Sequence, residues 1–286
     1  MYGKYYIDDS YSGKNPNYFE GEYLESDIVG NAGGIPILRA NHACGEQETA
    51  EMTEFLGIIT NMLGLKGKGC AEQDINEAEE RLKITLPAEV KAMYTAFDGN
   101  YKFVLDSKDW KLISPAELTL GGGTIVNGPP EETIVRGKTL VFGRQGRTKA
   151  LYTGLNLEDR HIYRSFNYND KDEWYPLEDW KESFCDMMIE GAALTAINKL
   201  KCKGYFKITG KEGKGLGMDR RIASSLLSLA DVYGGYHKPY STIMVNKEKK
   251  TVIYIRQFLI GGDMYFASDD AEEMKKFRLL RGLDKE

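Results

Sequence analysis

The chain has 286 residues, 42% of them hydrophobic, which is enough to bury a core without disulfides or structural metals and allows one to three domains. Residues 1–190 carry a net charge of −12 and residues 191–286 one of +7, so the acidic part disfavours nucleic acid and favours a basic partner. No apolar run reaches the roughly 18 residues of a membrane span, and the first residues lack the apolar segment of a signal peptide. We therefore expect a cytoplasmic protein with no membrane partner.

The first 65 residues predict short strands followed by a helix. Residues 1–45 are rich in glycine, asparagine, aspartate and tyrosine, which indicates short strands and turns. A helix is predicted over 46–65, ending near Gly64, and a loop follows at 65–69. The apolar residues that recur at helical spacing are Met52, Phe55, Leu56, Ile59 and Leu63.

Two helices joined by an elbow are predicted over residues 75–98. Apolar residues recur at i, i+3 and i+7 in the first helix, and at i, i+3, i+4 and i+7 in the second. Proline disfavours helix at the residue before it and suits the first helical position, so Leu86 and Pro87 separate the two helices. Gly99 is the expected helix stop. The apolar stripes are Ile75, Ala78 and Leu82, and then Val90, Met93, Tyr94 and Phe97.

The next segment reads mainly as strands. A strand is predicted over 101–106, a long loop over 120–132, and short strands rich in aromatic and aliphatic residues at hairpin-like intervals. These short strands are 139–143, 149–153 and 161–166. From Ser183 the pattern favours one helix, or two helices broken near Gly191.

The last third alternates strands and helices and carries the basic charge. That charge could face a partner or complement the acidic part of the same molecule. A strand begins this segment, and a glycine-rich loop and a helix near residues 219–233 follow it. Three strands then lead to a last helix at about 270–280, capped by Asp269 or Asp270. The strands have the sequences KGYFKITG, STIMVN, TVIYIRQF and DMYFAS, with a hairpin turn at 246–250.

A pattern of residues extends from the elbow to the segment before residue 190. In the helix pair it comprises Ile75, Ala78, Glu79, Leu82, Leu86, Pro87, Val90, Met93, Tyr94, Phe97, Asp98 and Gly99. It continues with a tryptophan segment at Trp110 and a VFG strand containing Phe142 and Gly143. An acidic loop at 170–174 that ends in Trp174 and a closing helix around 180–189 complete it. Over about residues 72–190 the chain resembles the SUKH superfamily, which contains yeast Smi/Knr cell-wall synthesis regulators and many bacterial immunity proteins.

The resemblance implies an α+β fold in which a helical pair packs on a mostly antiparallel sheet. It also implies a role without catalytic residues, as an immunity protein that binds and neutralises a polymorphic toxin, often a nuclease. The loop at 120–132 is longer than the family pattern, and both flanks lie outside it. The expected division is an N-terminal extension at 1–71, a SUKH-like domain at 72–190 and a basic α+β region at 191–286.

The acidic run after residue 169 is the candidate partner-binding site. A negative patch accelerates association with a basic toxin, and an aromatic side chain can supply affinity. Alternatively, the run is a solvated hairpin loop and its tryptophan closes the core of the sheet. The residues concerned are Asp170, Asp172, Glu173, Trp174 and Tyr175.

Other candidate chemistry is weaker. The GKEGKGLG stretch at 210–217 precedes a predicted helix but lacks the Walker pattern, so a flexible basic turn is favoured over a phosphate site. The three histidines, His42, His161 and His237, are too few to favour a metal or catalytic centre, although a Cys44–His237 nucleophile pair remains an alternative. The four cysteines show no CxxC spacing, so we expect free thiols at Cys44, Cys70, Cys185 and Cys202.

The sequence therefore predicts a non-enzymatic cytoplasmic binding protein that needs no cofactor and no metal. Its partner would be a protein, namely a basic toxin domain that it neutralises stoichiometrically. The alternative is a regulatory scaffold similar to the yeast regulators, without a toxin partner.

Overall fold

The predicted α+β class is confirmed by the computed structural model, which has five helices and three sheets among the residues it describes. Side chains are described for most of these residues. The described residues are 2–8, 18–22, 28–32, 34–39, 44–65, 69–97, 110–121, 124–126, 133–134, 139–145, 151–158, 160–165, 173–176, 183–209, 234–238, 241–258 and 261–280.

The chain divides into two compact units, and each is assembled from separate segments. The first comprises Met1–Thr53, Cys70–Lys102 and Asp109–Met188, and the second comprises Glu54–Gly69, Phe103–Lys108 and Ile189–Glu286. The domain boundaries after residues 71 and 190 stay a prediction.

A four-stranded sheet in the first unit bears out the short strands expected before residue 45. Its strands lie in the order β2-β1-β4-β3, in which β1 and β4 are parallel and the other neighbours are antiparallel. Gly34 adopts a φ of 90° in the turn before β4, a conformation that suits a residue without Cβ. The strands are β1 (Tyr2–Asp8), β2 (Tyr18–Glu22), β3 (Ile28–Ala32) and β4 (Ile35–Arg39).

Helix α1 (Glu46–Met62) forms where the apolar spacing predicts it. Four residues of the predicted stripe are buried, while Leu63 lies beyond the helix end and is half-buried. Gly64 ends the helix with a φ of 70°, and the Leu65 amide donates to the Thr60 carbonyl at 2.7 Å. The helix therefore stops through a left-handed glycine with a six-to-one hydrogen bond, as expected near Gly64.

The predicted helical pair is present as α2 (Glu72–Leu82) and α3 (Ala88–Ala96). Ile75 and Ala78 are buried and Leu82 is half-buried, so the first apolar stripe faces the core. Pro87 has an extended ψ of 148° and is the cap before α3, not its first helical residue. The boundary is displaced by one residue because proline constrains φ but leaves ψ free to be extended.

The end of α3 differs from the prediction. Phe97 is buried, but its backbone is extended, with φ −131° and ψ 128°, so the helix ends one residue before the stripe does. Its amide still donates to the Met93 carbonyl at 2.9 Å. Gly99, the expected stop, and the predicted strand at 101–106 lie outside the described residues.

A large sheet forms the centre of the first unit. The path of strands is β5-β9-β10-β11-β12-β7-β8, and β6 joins the same edge of β9 as β5. All neighbours are antiparallel except β12 and β7, which are parallel. The strands are β5 (Trp110–Leu112), β6 (Thr119–Gly121), β7 (Thr124–Val126), β8 (Thr133–Ile134), β9 (Thr139–Gln145), β10 (Leu151–Asn156), β11 (Ile162–Ser165) and β12 (Glu173–Pro176).

Two predictions in this region were wrong. The segment 120–132 is not one long loop, because β6 extends into it, β7 lies within it, and β7 pairs with β12. Its Thr-Ile-Val run favours a strand once a distant partner is available. Strand β10 also continues to Asn156, so the turn begins later than expected, where the Asn156 side chain accepts from the Glu158 amide at 2.8 Å.

Helix α4 (Phe184–Lys199) is one continuous helix, not two helices broken near Gly191. Gly191 is buried within it and does not adopt a positive φ. The Ser183 hydroxyl accepts from the Asp186 amide at 3.2 Å and caps the first turn. Trp180, where the resemblance implied that a closing helix begins, lies outside the described residues.

The second unit contains a five-stranded antiparallel sheet of order β13-β17-β16-β15-β14, covered on one face by α5 (Ala271–Leu280). The Asp270 side chain accepts from the Glu272 amide at 2.8 Å, which confirms it as the predicted cap. Strand β14 was not predicted, and the expected loop at 210–217 and helix at 219–233 lie outside the described residues. The strands are β13 (Cys202–Thr209), β14 (Gly234–Lys238), β15 (Ser241–Asn246), β16 (Thr251–Phe258) and β17 (Gly261–Ser268).

An apolar cluster joins α5 to its sheet. The rings of Phe266 and Phe277 are stacked, with centroids 4.2 Å apart. Burial of this face holds the last helix in place. The cluster comprises Met244, Ile253, Ile255, Met264, Phe266, Met274 and Phe277.

Candidate partner-binding surface

The elbow between α2 and α3 is closed by one carboxylate. Glu79 accepts from the Leu86 amide at 2.5 Å and pairs with the Lys91 ammonium at 2.8 Å. The hydrogen bond from Lys91, with further support from the Leu86 amide, lowers the pKa of Glu79 below its ordinary value. Glu79, a residue of the pattern quoted above, therefore links α2 to the elbow and to α3.

The helical pair is attached to the segment between β5 and β6 by three hydrogen bonds. The Arg81 guanidinium donates to the Leu118 carbonyl at 2.8 Å and to the Pro115 carbonyl at 2.9 Å. The buried Tyr94 hydroxyl donates to the Ile113 carbonyl at 2.6 Å, and burial raises the pKa of Tyr94 well above its ordinary value. The role of Arg81 was missed because its partners lie more than thirty residues away.

Trp110, Phe142 and Gly143 form one buried cluster. A Cβ at residue 143 would lie 2.0 Å from the Cζ2 atom of Trp110, so only glycine fits under the indole ring. The indole N–H donates to the Thr153 hydroxyl at 3.3 Å. The Phe142 ring meets the edges of the Trp110 and Phe184 rings, with centroids 6.3 Å and 5.1 Å away. The tryptophan segment and the VFG strand of the pattern are thus direct neighbours.

A β-bulge explains the position of Phe142. Thr153 pairs with Gly143 and Gly154 pairs with Val141, so Phe142 is an extra residue on β9. Its carbonyl accepts from the Ile113 amide at 2.8 Å, on the edge of β9 that also pairs with β5. The bulge therefore connects the core aromatic cluster to the segment that receives the Tyr94 hydroxyl.

The acidic run was predicted as a loop, and this was wrong for its second half. Glu173, Trp174 and Tyr175 lie on β12, between β11 and β7 in the sheet, and their backbones pair with those of Thr124, Ile125 and Arg164 respectively. Asp170 and Asp172 lie outside the described residues, as do the side chains on β12. Partner binding by these five residues stays a prediction.

Helix α2, which carries the first residues of the pattern, has an acidic surface. Four carboxylates on this helix are exposed, whereas Ile75 and Ala78 on its other face are buried. The Asp74 side chain also accepts from the Ala71 amide at 3.1 Å and caps the helix start. This surface was not predicted, because the predicted site was residues 170–175, although the run EQDINEAEERL carries its signal. We call it the α2 acidic face, and it comprises Glu72, Asp74, Glu77 and Glu80.

Helix α3 forms an ion pair through a buried carboxylate. Glu89, which is 2% exposed, pairs with the Arg160 guanidinium across 71 residues of sequence. Arg160 holds a φ of 63° in the turn between β10 and β11. This contact attaches the first turn of α3 to the large sheet and was not visible in the sequence.

The structure gives little support to the other candidate sites. Among the residues that the structure describes, no group of three or more His, Cys, Asp or Glu side chains could hold a metal ion. Cys44 contacts Cys185, while the side chains of His42 and His237 and the stretch 210–217 lie outside the description. None of the described helices is long and apolar enough to cross a membrane.

No protein-family model matches the chain, and a search of curated proteins found no match. The likeness to the SUKH superfamily therefore stays a prediction.

Proposed function

We propose that this chain is a non-enzymatic binding protein that neutralises a basic toxin by stoichiometric binding, as the resemblance to SUKH immunity proteins implies. One observation carries the proposal. Two residues quoted for the resemblance, Glu79 and Leu86, bond to each other at the elbow, where Glu79 also pairs with Lys91. The cluster of Trp110 and Gly143 lies in the same unit.

The elbow supports binding because it holds a charged surface in a fixed direction. Helix α2 is held by its buried Ile75 and by the two Arg81 hydrogen bonds, so the α2 acidic face stands on an ordered element. An ordered helix loses less backbone conformational entropy on binding than a flexible segment. A negative face also accelerates encounter with a positively charged partner.

The test is capture of the partner by the full chain, followed by charge reversal. The captured protein should be basic, and Glu77→Lys with Glu80→Lys should lower its association rate at least tenfold at low salt. The matched control is Glu51→Lys with Glu54→Lys, which reverses two exposed carboxylates on α1. The proposal predicts a much smaller decrease in association rate for this control. Equal decreases for the two pairs would contradict a role of the α2 acidic face in binding.

The nature of the captured protein decides the functional class. A protein that inhibits the growth of cells lacking this chain supports neutralisation. A captured host protein without such toxicity would contradict neutralisation and favour the regulatory scaffold.

A further inference from the structure

Two cysteines 141 residues apart in sequence meet at the starts of two helices. Cys44 lies two residues before α1, and Cys185 is the second residue of α4. The Cys185 amide donates to the Cys44 sulfur at 3.1 Å. The Thr49 hydroxyl lies 3.8 Å from the Cys185 sulfur, so the first turn of α1 contacts the Cys185 thiol. All three residues belong to the first unit.

The contact places the Cys44 sulfur beside the Cys185 thiol. The Cys44 sulfur already contacts the backbone nitrogen of Cys185, and a cysteine sulfur is only three bonds from its own nitrogen. A disulfide needs sulfurs about 2.05 Å apart and Cα atoms about 4.4–6.8 Å apart. Both thiols are free in this structure, so their contact is that of a reduced pair.

The two thiols differ in access. Cys44 is half-buried and therefore partly exposed to solvent, whereas Cys185 is fully buried. The hydrogen bond with Cys44, together with burial, raises the pKa of the Cys185 thiol. This arrangement resembles that of an attacking and a resolving cysteine, in which the accessible sulfur reacts first.

We propose that Cys44 and Cys185 are a redox modification site, at which a low-molecular-weight disulfide such as glutathione disulfide drives formation of a reversible bond between the starts of α1 and α4. The Cys44 thiolate attacks one sulfur of glutathione disulfide. A Cys44–glutathione bond forms, the glutathione S–S bond breaks, and one glutathione thiolate leaves and takes up a proton.

The Cys185 sulfur then attacks the Cys44 sulfur. The Cys44–Cys185 bond forms, the Cys44–glutathione bond breaks, and the second glutathione leaves with the proton of Cys185. The two protein thiols lose two electrons in total, and one glutathione disulfide is reduced to two glutathiones. Conversion of the Cys44 thiolate into a disulfide sulfur removes the negative charge on that sulfur, which opposes ionisation of Cys185, and so favours this second step.

The experiment treats the folded full chain with glutathione disulfide and maps the products by mass spectrometry without reduction. We expect loss of two hydrogen atoms and a peptide that links Cys44 to Cys185, both reversed by dithiothreitol. Cys202→Ser should leave the linked peptide unchanged. Cys44→Ser should abolish it, and far-ultraviolet circular dichroism checks that this variant is folded.

Three outcomes would overturn the proposal. They are a stable glutathione adduct at Cys44 beside a free Cys185, a link from Cys44 to Cys70 or Cys202, and no change at either residue.

A second measurement is independent of any variant. The oxidised wild-type chain should unfold at a higher temperature than the reduced one, because a bond across 141 residues constrains the unfolded state. An equal or lower unfolding temperature would count against a native-like bond.

Discussion

The indole ring of Trp110 lies so close to Gly143 that no other residue fits at position 143. A Cβ there would be 2.0 Å from Cζ2 and 2.6 Å from Cε2 of the ring. The two residues are diagonal neighbours on β5 and β9, because Trp110 pairs with Gln145 and Leu112 pairs with Gly143. The contact therefore depends on this register as well as on the two residue types.

Gly143→Ala should destabilise the protein by about 1–3 kcal/mol, because the added methyl group forces the indole ring out of its packed position. Chemical unfolding at equilibrium measures the effect. Gly57→Ala is the control, because a Cβ at that helical position meets nothing within 4 Å and alanine favours helix. Equal free energies of unfolding for Gly143→Ala and the wild type would refute the steric account.

Glu79→Gln should lower the free energy of unfolding at neutral pH. The free energy of unfolding of the variant should also fall less than that of the wild type when the pH is lowered. The pKa of Glu79 is lowered in the folded state, so its contribution is present above the unfolded value of 4.5 and is lost as pH falls through the lower folded value. Unfolding in urea at pH 7 and pH 3 gives the difference. Glu80→Gln, an exposed neighbour, is the control. A variant with the same pH dependence as the wild type would show that Glu79 does not hold the elbow.

Tyr94→Phe should lower the free energy of unfolding by about 1–2 kcal/mol, because the Ile113 carbonyl loses its buried hydrogen-bond donor. The same variant should be less sensitive to alkali. The pKa of Tyr94 is raised by burial, so the stability it contributes is complete below the unfolded value of 10.0 and is lost as pH rises above it. Unfolding followed between pH 8 and pH 11 tests both effects. If the variant and the wild type lost stability at the same alkaline pH, Tyr94 would ionise without unfolding the helical pair.

Charge reversal at Asp170, Asp172 and Glu173 should slow association with a basic partner, with a smaller change in the dissociation rate. Electrostatic steering acts mainly on encounter, and salt weakens it. Surface plasmon resonance at low and high salt separates the two rates. An association rate that does not change at low salt would remove these residues from the binding surface and leave the α2 acidic face as the candidate.

The parts of the fold that the sequence predicts well are those with local causes. The α1 stripe, the stop at Gly64 and the Asp270 cap depend on residues within a few positions of each other, and each appears as expected except that Leu63 lies beyond the end of α1. Strands β7 and β12 were missed because neither is recognisable alone. Thr124 and Ile125 form a strand through parallel pairing with Glu173 and Trp174, almost fifty residues away.

The candidate surface shows the same limit. The acidic composition of α2 is plain from the sequence, but which of its carboxylates face outward follows from burial of Ile75 and Ala78. In the sequence, Arg81 and Arg160 are indistinguishable from ordinary surface charges. Their structural roles come from carbonyl or carboxylate partners 34 to 71 residues away. The contact between Cys44 and Cys185 likewise needs the packing of two distant helix starts.

The most direct test of neutralisation is growth of cells that express the captured partner, with and without this chain. We expect growth to stop without it and to be restored with it, and we expect the purified proteins to form a complex of one to one by light scattering. A partner that cells tolerate in the absence of this chain would contradict the central claim.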